Sequence, residues 1–408
     1  MWLHVRILTL IALITIINFL DRSAISFAIQ PIEHTFAITN SEFGWIAGAF
    51  GIGLLIMAPF GGVLVDRFGP ISMWLSSAIV WSLLTICMGF ANSFEAFFVL
   101  RVLLGIAEGM HFPCLLRTVV DWLPQGLRGR MLAIGLAGVP LSSLIGSPFL
   151  AWLIDDFGWK VMFFILGILG ILWGVLWIVN FREKFAFHPK NTKASKKAMH
   201  MLQTSSGWRD ILSSHPFQIS CFVYFAFGYT VFFALMWLPG YLQQTYGIDI
   251  RQTGLLIMLP WLTSSILLFF GGTISDKILK KTHDLRKARC CLIGICMGFS
   301  GIVFMLIPLS SSVILDVLLY SLALGIAFAI NAPIYALNGD LFPRHPATAQ
   351  GIMTLFFALS GIIAPALTGF LSDISGNFES AIYMMAAFSL VAAILSIFGQ
   401  KPTIVRGN

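Results

Sequence analysis

The sequence predicts an all-α integral membrane protein with twelve transmembrane helices, arranged as two parallel six-helix repeats. Three observations point there: an extremely apolar composition, twelve long apolar runs, and short motifs that recur in the same order in both halves. Of the 408 residues, 58% are hydrophobic and 11% charged, against about 25% charged in a typical soluble domain. Dissolved in water, such a chain would expose far more apolar area than a soluble surface carries. This excludes a cytosolic enzyme, a nucleic-acid-binding protein and a disulfide-stapled secreted domain. The net charge of +7 does not indicate nucleic acid, because the charges lie in loops between apolar runs. The cysteines (Cys87, Cys114, Cys221, Cys290, Cys291, Cys296) sit in or beside apolar stretches without the paired spacing of a zinc site, and read as small hydrophobes.

A helix crossing about 30 Å of hydrocarbon needs about 20 apolar residues. Such runs fall at about 5–28, 42–65, 71–91, 95–118, 129–154 and 159–180 in the first half, and at about 216–240, 252–275, 289–309, 313–338, 346–371 and 379–399 in the second. None alternates as a barrel strand does. The first run is too long for a cleaved signal peptide, carries Asp21 and Arg22 at its far end, and lacks a small-residue cleavage site. The stretch 181–215 is the one long polar segment. With Lys190, Lys193, Lys196 and Lys197 it reads as a solvated linker attracted to anionic headgroups. The expected organisation is therefore a six-helix bundle over 1–184, a basic linker over 185–215 and a second bundle over 216–408.

Lys and Arg orient the spans. With both termini in the cytoplasm, only Lys160 and Arg251 fall in outer loops, and Arg22 and Arg101 fall inside spans; the rest of the 25 lie on the inner side. The expected location is a bacterial inner (plasma) membrane.

The halves repeat each other. Gly62-Val-Leu-Val-Asp66, after the second span, matches Gly272-Thr-Ile-Ser-Asp276 after the eighth. Asp121-Trp-Leu-Pro124 matches Asp340-Leu-Phe-Pro343. Pro148 precedes Asp156 by the same interval as Pro365 precedes Asp373. Two parallel six-helix repeats predict a transporter with a site between them near the midplane. At this point Gly62-x-x-x-Asp66-Arg67-Phe68-Gly69 resembles the loop motif of the major facilitator superfamily, over essentially the whole chain. The physical reading is close helix packing at Gly61 and Gly62 and a fixed charge, Asp66, facing the positive end of a neighbouring helix. Gly62, Asp66, Arg67 and Gly69, with Asp276 in the repeat, are the expected cytoplasmic gating motif.

Four ionisable residues lie clearly within spans: Asp21, Arg22, Arg101 and Glu108, two acids and two bases. Each charge costs roughly 2.5–3.5 kcal/mol at a helix centre on insertion scales, so they must face one another or a water-filled cavity. Arg101 and Glu108, seven apart, share one helix face, with Arg101 about 10 Å nearer the outer surface. Asp21 and Arg22 are about 100° apart on the first helix. The second half has no charge in a span interior. The repeat position of Glu108 falls near Ala327 and Phe328, so neutral groups, Tyr224, Tyr229, Asn331 and Thr354, are its candidate substrate contacts, each also readable as packing. His111, three after Glu108, has the spacing of a Glu-x-x-His metal motif, but no further carboxylates converge and no metal is expected. It is left as a proton relay, a substrate contact or a satisfied structural histidine.

Asn18-x-x-Asp21-Arg22 and Arg101-x6-Glu108-Gly-x-x-x-Pro113 resemble the anion:cation symporter family, which includes bacterial sugar-acid and phthalate carriers and the sialin and vesicular glutamate transporters. Trp237-Leu-Pro-Gly-Tyr-Leu242 and Pro365-x-x-x-Gly369 are similar to it too. The resemblance implies that Arg22 and Arg101 engage a substrate anion and that Asp21 and Glu108 carry the proton. The chain departs from sugar-acid members at Leu54-Leu55-Ile56, where they often carry a tyrosine, and at Val139, where they often carry an amide. Since an unpaired buried hydroxyl is costly, a less hydroxylated organic anion is expected.

Burial favours a neutral carboxyl and a neighbouring arginine favours an ionised one, a balance suited to proton exchange. Protonation would free the arginines to take a carboxylate through charge-assisted hydrogen bonds. The expected protein is thus a monomeric, proton-coupled symporter of a small organic anion, working in the lipid bilayer with no cofactor beyond the coupling proton. The alternative is a proton-antiporting exporter of an amphipathic metabolite or drug, which the 37 Phe and 12 Trp would suit. Two buried arginines argue against cationic cargo. No nucleophile–base pair or phosphate loop appears within the spans, so no enzyme is expected.

Overall fold

The computed structural model describes residues 2–122, 125–181, 211–342 and 346–401. Most of the expected linker lies outside the described residues, as do Pro124, Pro343 and the side chain of Val139. Among the described residues the secondary structure is helical and no strand occurs.

Eleven described helices are long and apolar enough to cross a membrane, where the sequence predicts twelve. The difference lies in Pro140–Phe181, a single 42-residue stretch. At 1.5 Å per residue it runs about 63 Å, twice the hydrocarbon core. Its backbone leaves helical geometry at Gly158 (φ 80°, ψ 164°), where the fifth span is predicted to end and the sixth to begin. It holds both.

The chain forms two compact units, one of residues 1–203 with 249–254 and one of residues 204–248 with 255–408. The first contains α1 (Trp2–Phe27), α2 (Ile29–Phe36), α3 (Asn40–Phe68), α4 (Pro70–Met88), α5 (Phe94–Glu108), α6 (His111–Trp122) and α7 (Gln125–Phe181). The second contains α8 (His215–Met236), α9 (Leu238–Tyr246), α10 (Ile250–Thr282) from Leu255 onward, α11 (Leu292–Leu306), α12 (Val313–Phe328), α13 (Asn331–Leu341), α14 (Pro346–Ser375) and α15 (Glu379–Ile394). Local chemistry sets several boundaries. Thr39 and Glu42 form a capping box at the start of α3, each side chain bonding the other's backbone N–H at 3.3 and 2.8 Å. Gly69 (φ 84°) ends α3 and Pro70 opens α4.

Four spans are broken: at Ala28 between α1 and α2, at Gly109–Met110 between α5 and α6, at Trp237 between α8 and α9, and at Ala329–Ile330 between α12 and α13. Each break is followed closely by a proline (Pro31, Pro113, Pro239, Pro333). Proline has no N–H to donate, and its ring clashes with the carbonyl four residues back, here those of Phe27, Gly109, Leu235 and Ala329. The broken spans are the first and fourth of each half, so the breaks repeat as the motifs do.

In the first unit α1 and α4 pack along α7 and α3 along α5; in the second α8 packs along α14, and α11 along α12 and α15. The α3–α5 crossing is the tightest that bears on the buried charges. A Cβ on Gly53 would lie 2.1 Å from the carbonyl oxygen of Val102, and one on Gly105 would lie 2.1 Å from that of Phe50. Gly53→Leu should therefore lower the thermal unfolding temperature of the detergent-purified protein, by an overpacking cost of about 1–3 kcal/mol. Gly351→Ala, where no described atom lies within 4 Å of the added Cβ, should leave it unchanged.

Candidate functional site

The glycine crossing sets α3 and α5 backbone to backbone, and the four buried charges gather beside it. Arg22 on α1 donates from Nε to Glu108 Oε2 on α5 at 2.7 Å, with the two side chains 8% and 0% exposed. Arg101, one face further along α5, is fully buried. It donates from Nε and Nη2 to the carbonyl oxygens of Ile46 and Ala47 on α3, at 3.5 and 3.4 Å. The Phe50 ring lies against both guanidiniums, 5.1 Å from the Arg22 Cζ and 4.9 Å from that of Arg101; Phe19 lies 4.6 Å from Arg22. Such cation–π contacts gain strength where water is excluded. Asp21 is within electrostatic reach of Glu108, Arg22 and Arg101. It is fully buried, and among the described residues neither carboxyl oxygen receives a hydrogen bond. The group thus holds one ion pair, one arginine that donates to backbone carbonyls beside an aromatic ring, and one carboxyl that receives no hydrogen bond among the described residues.

His111 opens α6 at the break after Glu108. Its Nε2 lies 3.4 Å from the Thr15 hydroxyl, and its ring meets Trp74, Trp81 and Phe112 edge-on. Among the described residues no three His, Cys, Asp or Glu side chains come together as metal ligands.

The motif expected to gate lies at one end of the first unit. Asp66 accepts from Arg117 Nη1 at 3.0 Å, and Arg117 Nε donates to Asp121 at 3.0 Å. Within this unit, the positive charge that Asp66 meets is thus a guanidinium, where a helix end was expected. Arg67 Cζ lies 5.2 Å from the Phe68 ring. Of the two glycines expected to let helices approach closely, Gly61 does so, since its Cβ would stand 3.4 Å from the Gly109 carbonyl oxygen; no described atom lies within 4 Å of a Cβ on Gly62. The second unit builds the same device with Arg289, which donates from Nη1 to Asp276 at 2.9 Å and to Ser275 at 2.5 Å, with Nε 3.8 Å from Asp340. The repeated acids were legible in the sequence; the arginines that bridge them were not singled out.

Of the neutral candidates in the second unit, Tyr224 shares a 2.9 Å hydrogen bond with the Tyr335 hydroxyl and packs on Phe227 and Phe357. Tyr229 is buried against Phe388. Asn331 donates to the Phe328 carbonyl at 3.1 Å, across the break between α12 and α13. Thr354 bonds the Gln350 carbonyl in its own helix. Tyr335 and Phe50 were not anticipated, since nothing in their sequence setting separates them from other span aromatics. Asp316, at the start of a span of the second half and not in its interior, was not singled out from the sequence. It stands in the first turn of α12, only 1% exposed.

The sequence profile of the Major Facilitator Superfamily matches residues 11–333 and 286–407. The chain is 29% identical over 396 residues to the hexuronate transporter of Bacillus subtilis (strain 168), covering 95% of this chain and 93% of that one. It is 30% identical over 417 residues to the probable galactarate/D-glucarate transporter GudP of the same organism, covering 96% and 90%. It is 28% identical over 402 residues to the probable sulfoacetate transporter SauU of Cupriavidus necator, covering 96% and 93%. Among solved structures, an inward-facing bacterial homologue of the human lysosomal transporter Spinster superposes with a TM-score of 0.80 at 17% identity over 97% of both chains. A D-xylose-proton symporter superposes at 0.77 with 15% identity over 97% of this chain and 98% of that one.

A closed buried ion pair makes a stability prediction. Removing one partner strands the other charge and costs about 3–5 kcal/mol, whereas neutralising both costs far less. Arg22→Met should lower the unfolding temperature in detergent more than Arg22→Met combined with Glu108→Gln.

Proposed function

The chain belongs to the Major Facilitator Superfamily, and from that membership we propose that it carries a small organic anion across the membrane together with protons, by alternating access. Transport itself, with no enzymatic activity, follows from the family and from relatives that are all transporters. The observation that carries the proton-coupled reading is the Arg22–Glu108 pair beside a carboxyl, Asp21, that no donor satisfies among the described residues.

Two ionised acids and two arginines sum to zero. In that state Arg22 is occupied by Glu108, and an incoming anion has no free guanidinium. A proton on Glu108 removes the charge that holds Arg22. The guanidinium is then free to take a substrate carboxylate or sulfonate in a bidentate pair. Proton and anion bind with positive coupling, and the coupling is reciprocal. The loaded site returns to its unloaded charge, so crossing low-dielectric surroundings adds no Born cost, while the protonated empty site carries an excess charge and crosses poorly. Arg101 supports the site by tying α5 to α3. It becomes a second anion ligand where its long bonds to the Ile46 and Ala47 carbonyls yield.

We further assign the basic side of the spans, with both termini, to the cytoplasm of a bacterial plasma membrane, and the substrate to the sparsely hydroxylated end of the organic anions. The relatives' names span hexuronate, glucarate and sulfoacetate, so the deciding assay offers all three beside simple mono- and dicarboxylates. Purified protein in liposomes, under an inward proton gradient, should accumulate one class of anion, and a protonophore should abolish the accumulation. If no anion enters, but preloaded amphipathic cargo leaves faster with protons outside, the exporter reading replaces this one.

Glu108→Gln should lose uphill uptake while retaining exchange of labelled for unlabelled anion; full proton-driven uptake by this variant would remove Glu108 from the mechanism. Arg101→Lys should raise the half-saturating anion concentration about tenfold, since lysine has no planar fork. An unchanged value would confine Arg101 to holding α3 and α5 together.

A further inference from the structure

We propose that the first unit holds one acyl chain of a phospholipid in a crevice between α3, α4 and α5, lodged against the break that separates α5 from α6. The inference needs only that these helices span a membrane, and it does not rest on the transport reading.

Three observations carry it. First, the crevice has room. It encloses about 290 Å³, roughly twice the ~150 Å³ of an apolar cavity that stays dry and takes benzene. Second, it opens sideways, between spans. Val80 and Leu103 stand at its mouth beside Ser76 and are 48% and 42% exposed, while Ser77, Ala107 and Met110 form a buried floor. The α4 residues that line it, from Ser76 to Leu84, lie about 9–21 Å along the helix from its start at Pro70. For a helix crossing about 30 Å of hydrocarbon, that is hydrocarbon depth, where the solvent at the mouth is lipid tail. Third, the wall has no hydrogen left to donate. Ser77 Oγ donates to the Ala107 carbonyl at 2.6 Å and Ser76 Oγ to the Met73 carbonyl at 3.1 Å, and every other side chain that lines the crevice is apolar. A buried water typically makes about three hydrogen bonds; here it would meet two hydroxyl oxygens, one at the mouth and one in the floor. An acyl chain needs no such partner and gains the dispersion contacts that an unfilled void forfeits.

The charge at the end of the same helices suits a phospholipid. The turn from α3 to α4 joins two walls of the crevice, and Arg67 is exposed there, where a cation attracts an anionic headgroup. The far end of the chain meets the break. Met110 lies within it, Ala107 directly precedes Glu108, and Met57, in the α3 wall, crowds Gly109, whose Cβ would stand 2.7 Å from the Met57 Cβ. The lipid tail thus packs on the segment where this span's helix is interrupted.

Photolabelling of the full-length protein tests this. The nanodiscs contain phosphatidylethanolamine and phosphatidylglycerol, with a fraction of the phosphatidylglycerol carrying a diazirine midway along one acyl chain. Lipid that merely surrounds the protein reaches exposed positions such as Val179, 69% exposed, but not the floor, where Ala107 and Met110 are 4% and 8% exposed. Peptide mapping should find label on Ser77, Ala107 or Met110 as well as on Val179. Val80→Trp, which fills the mouth, should lose the floor label and keep the label on Val179. Ser76→Trp should do the same, and carries the test should Val80→Trp fail to fold. Label on Val179 with none on the floor, or floor label that survives both substitutions, overturns the proposal. Failure of proton-driven uptake would count against the transport mechanism and leave this measurement unaffected, because it reads no transport.

Discussion

Hydrocarbon offers a charge no partner, and the Arg22–Glu108 bond is how the first unit meets that constraint. An ion pair with side chains 8% and 0% exposed repays its desolvation only when the geometry is close and the remaining donors and acceptors are satisfied. The packing supplies the close geometry in sequence. Gly53 and Gly105 let α3 and α5 touch backbone to backbone. That contact brings the α3 carbonyls of Ile46 and Ala47 within reach of Arg101 and puts Phe50 against both guanidiniums. With Arg101 held elsewhere, Glu108 is left to Arg22. The pairing is therefore set by helix packing as much as by charge, since either arginine could have neutralised the acid.

The same packing explains what was and was not legible in the sequence. Span positions, the repeat and the four buried charges were readable because each is a strong local signal: a run of apolar residues, a motif repeated in order, an ionisable residue where none is tolerated without cause. Partners were not readable. Spacing places Arg101 and Glu108 on one face of one helix, yet the ion pair joins Glu108 to another helix, and Arg101 turns to backbone carbonyls. A carbonyl is present at every position and leaves no trace in the sequence. Asp316 escaped for another reason. Four residues into the tenth span, it reads as a charge at a solvated end, and only the fold lays α9 over it. Gly62 and Gly61 are adjacent and chemically identical in sequence; which of them meets Gly109 is decided by helix rotation, within the uncertainty of any boundary read from composition.

The broken spans give the rigid elements their joints. Each break coincides with a lost backbone hydrogen bond and a proline ring set against the preceding turn, so bending there costs little further pairing. In the first unit the break at Gly109–Met110 directly follows Glu108, and the break at Ala28 falls less than two turns beyond Arg22. Both members of the buried ion pair thus sit beside joints in their own helices. In the proposed mechanism a change in the charge of the pair acts where the backbone is least held, which would give a proton leverage over helix geometry.

The two units share topology, glycine contacts and end-of-span acid–arginine clusters, but differ in what they bury. Where the first unit has Glu108, the repeat position in the second falls near Ala327 and Phe328, and Phe328 packs against Phe227 and Trp261. This asymmetry has a physical consequence for coupling. Two charged networks would titrate as separate groups, and each would have to be neutralised before the protein could close around its cargo. In the proposed symport, Glu108 and the substrate anion compete for the Arg22 guanidinium, so a proton on Glu108 raises the affinity for the anion. The coupling proposed above then needs no long-range signal; it is the exchange of one hydrogen-bond partner for another at Arg22. Asp316 is consistent with that division. It accepts from the hydroxyls of Tyr241 and Tyr246, not from a cation, and these bonds fasten α9 without taking part in the pairing of buried charges.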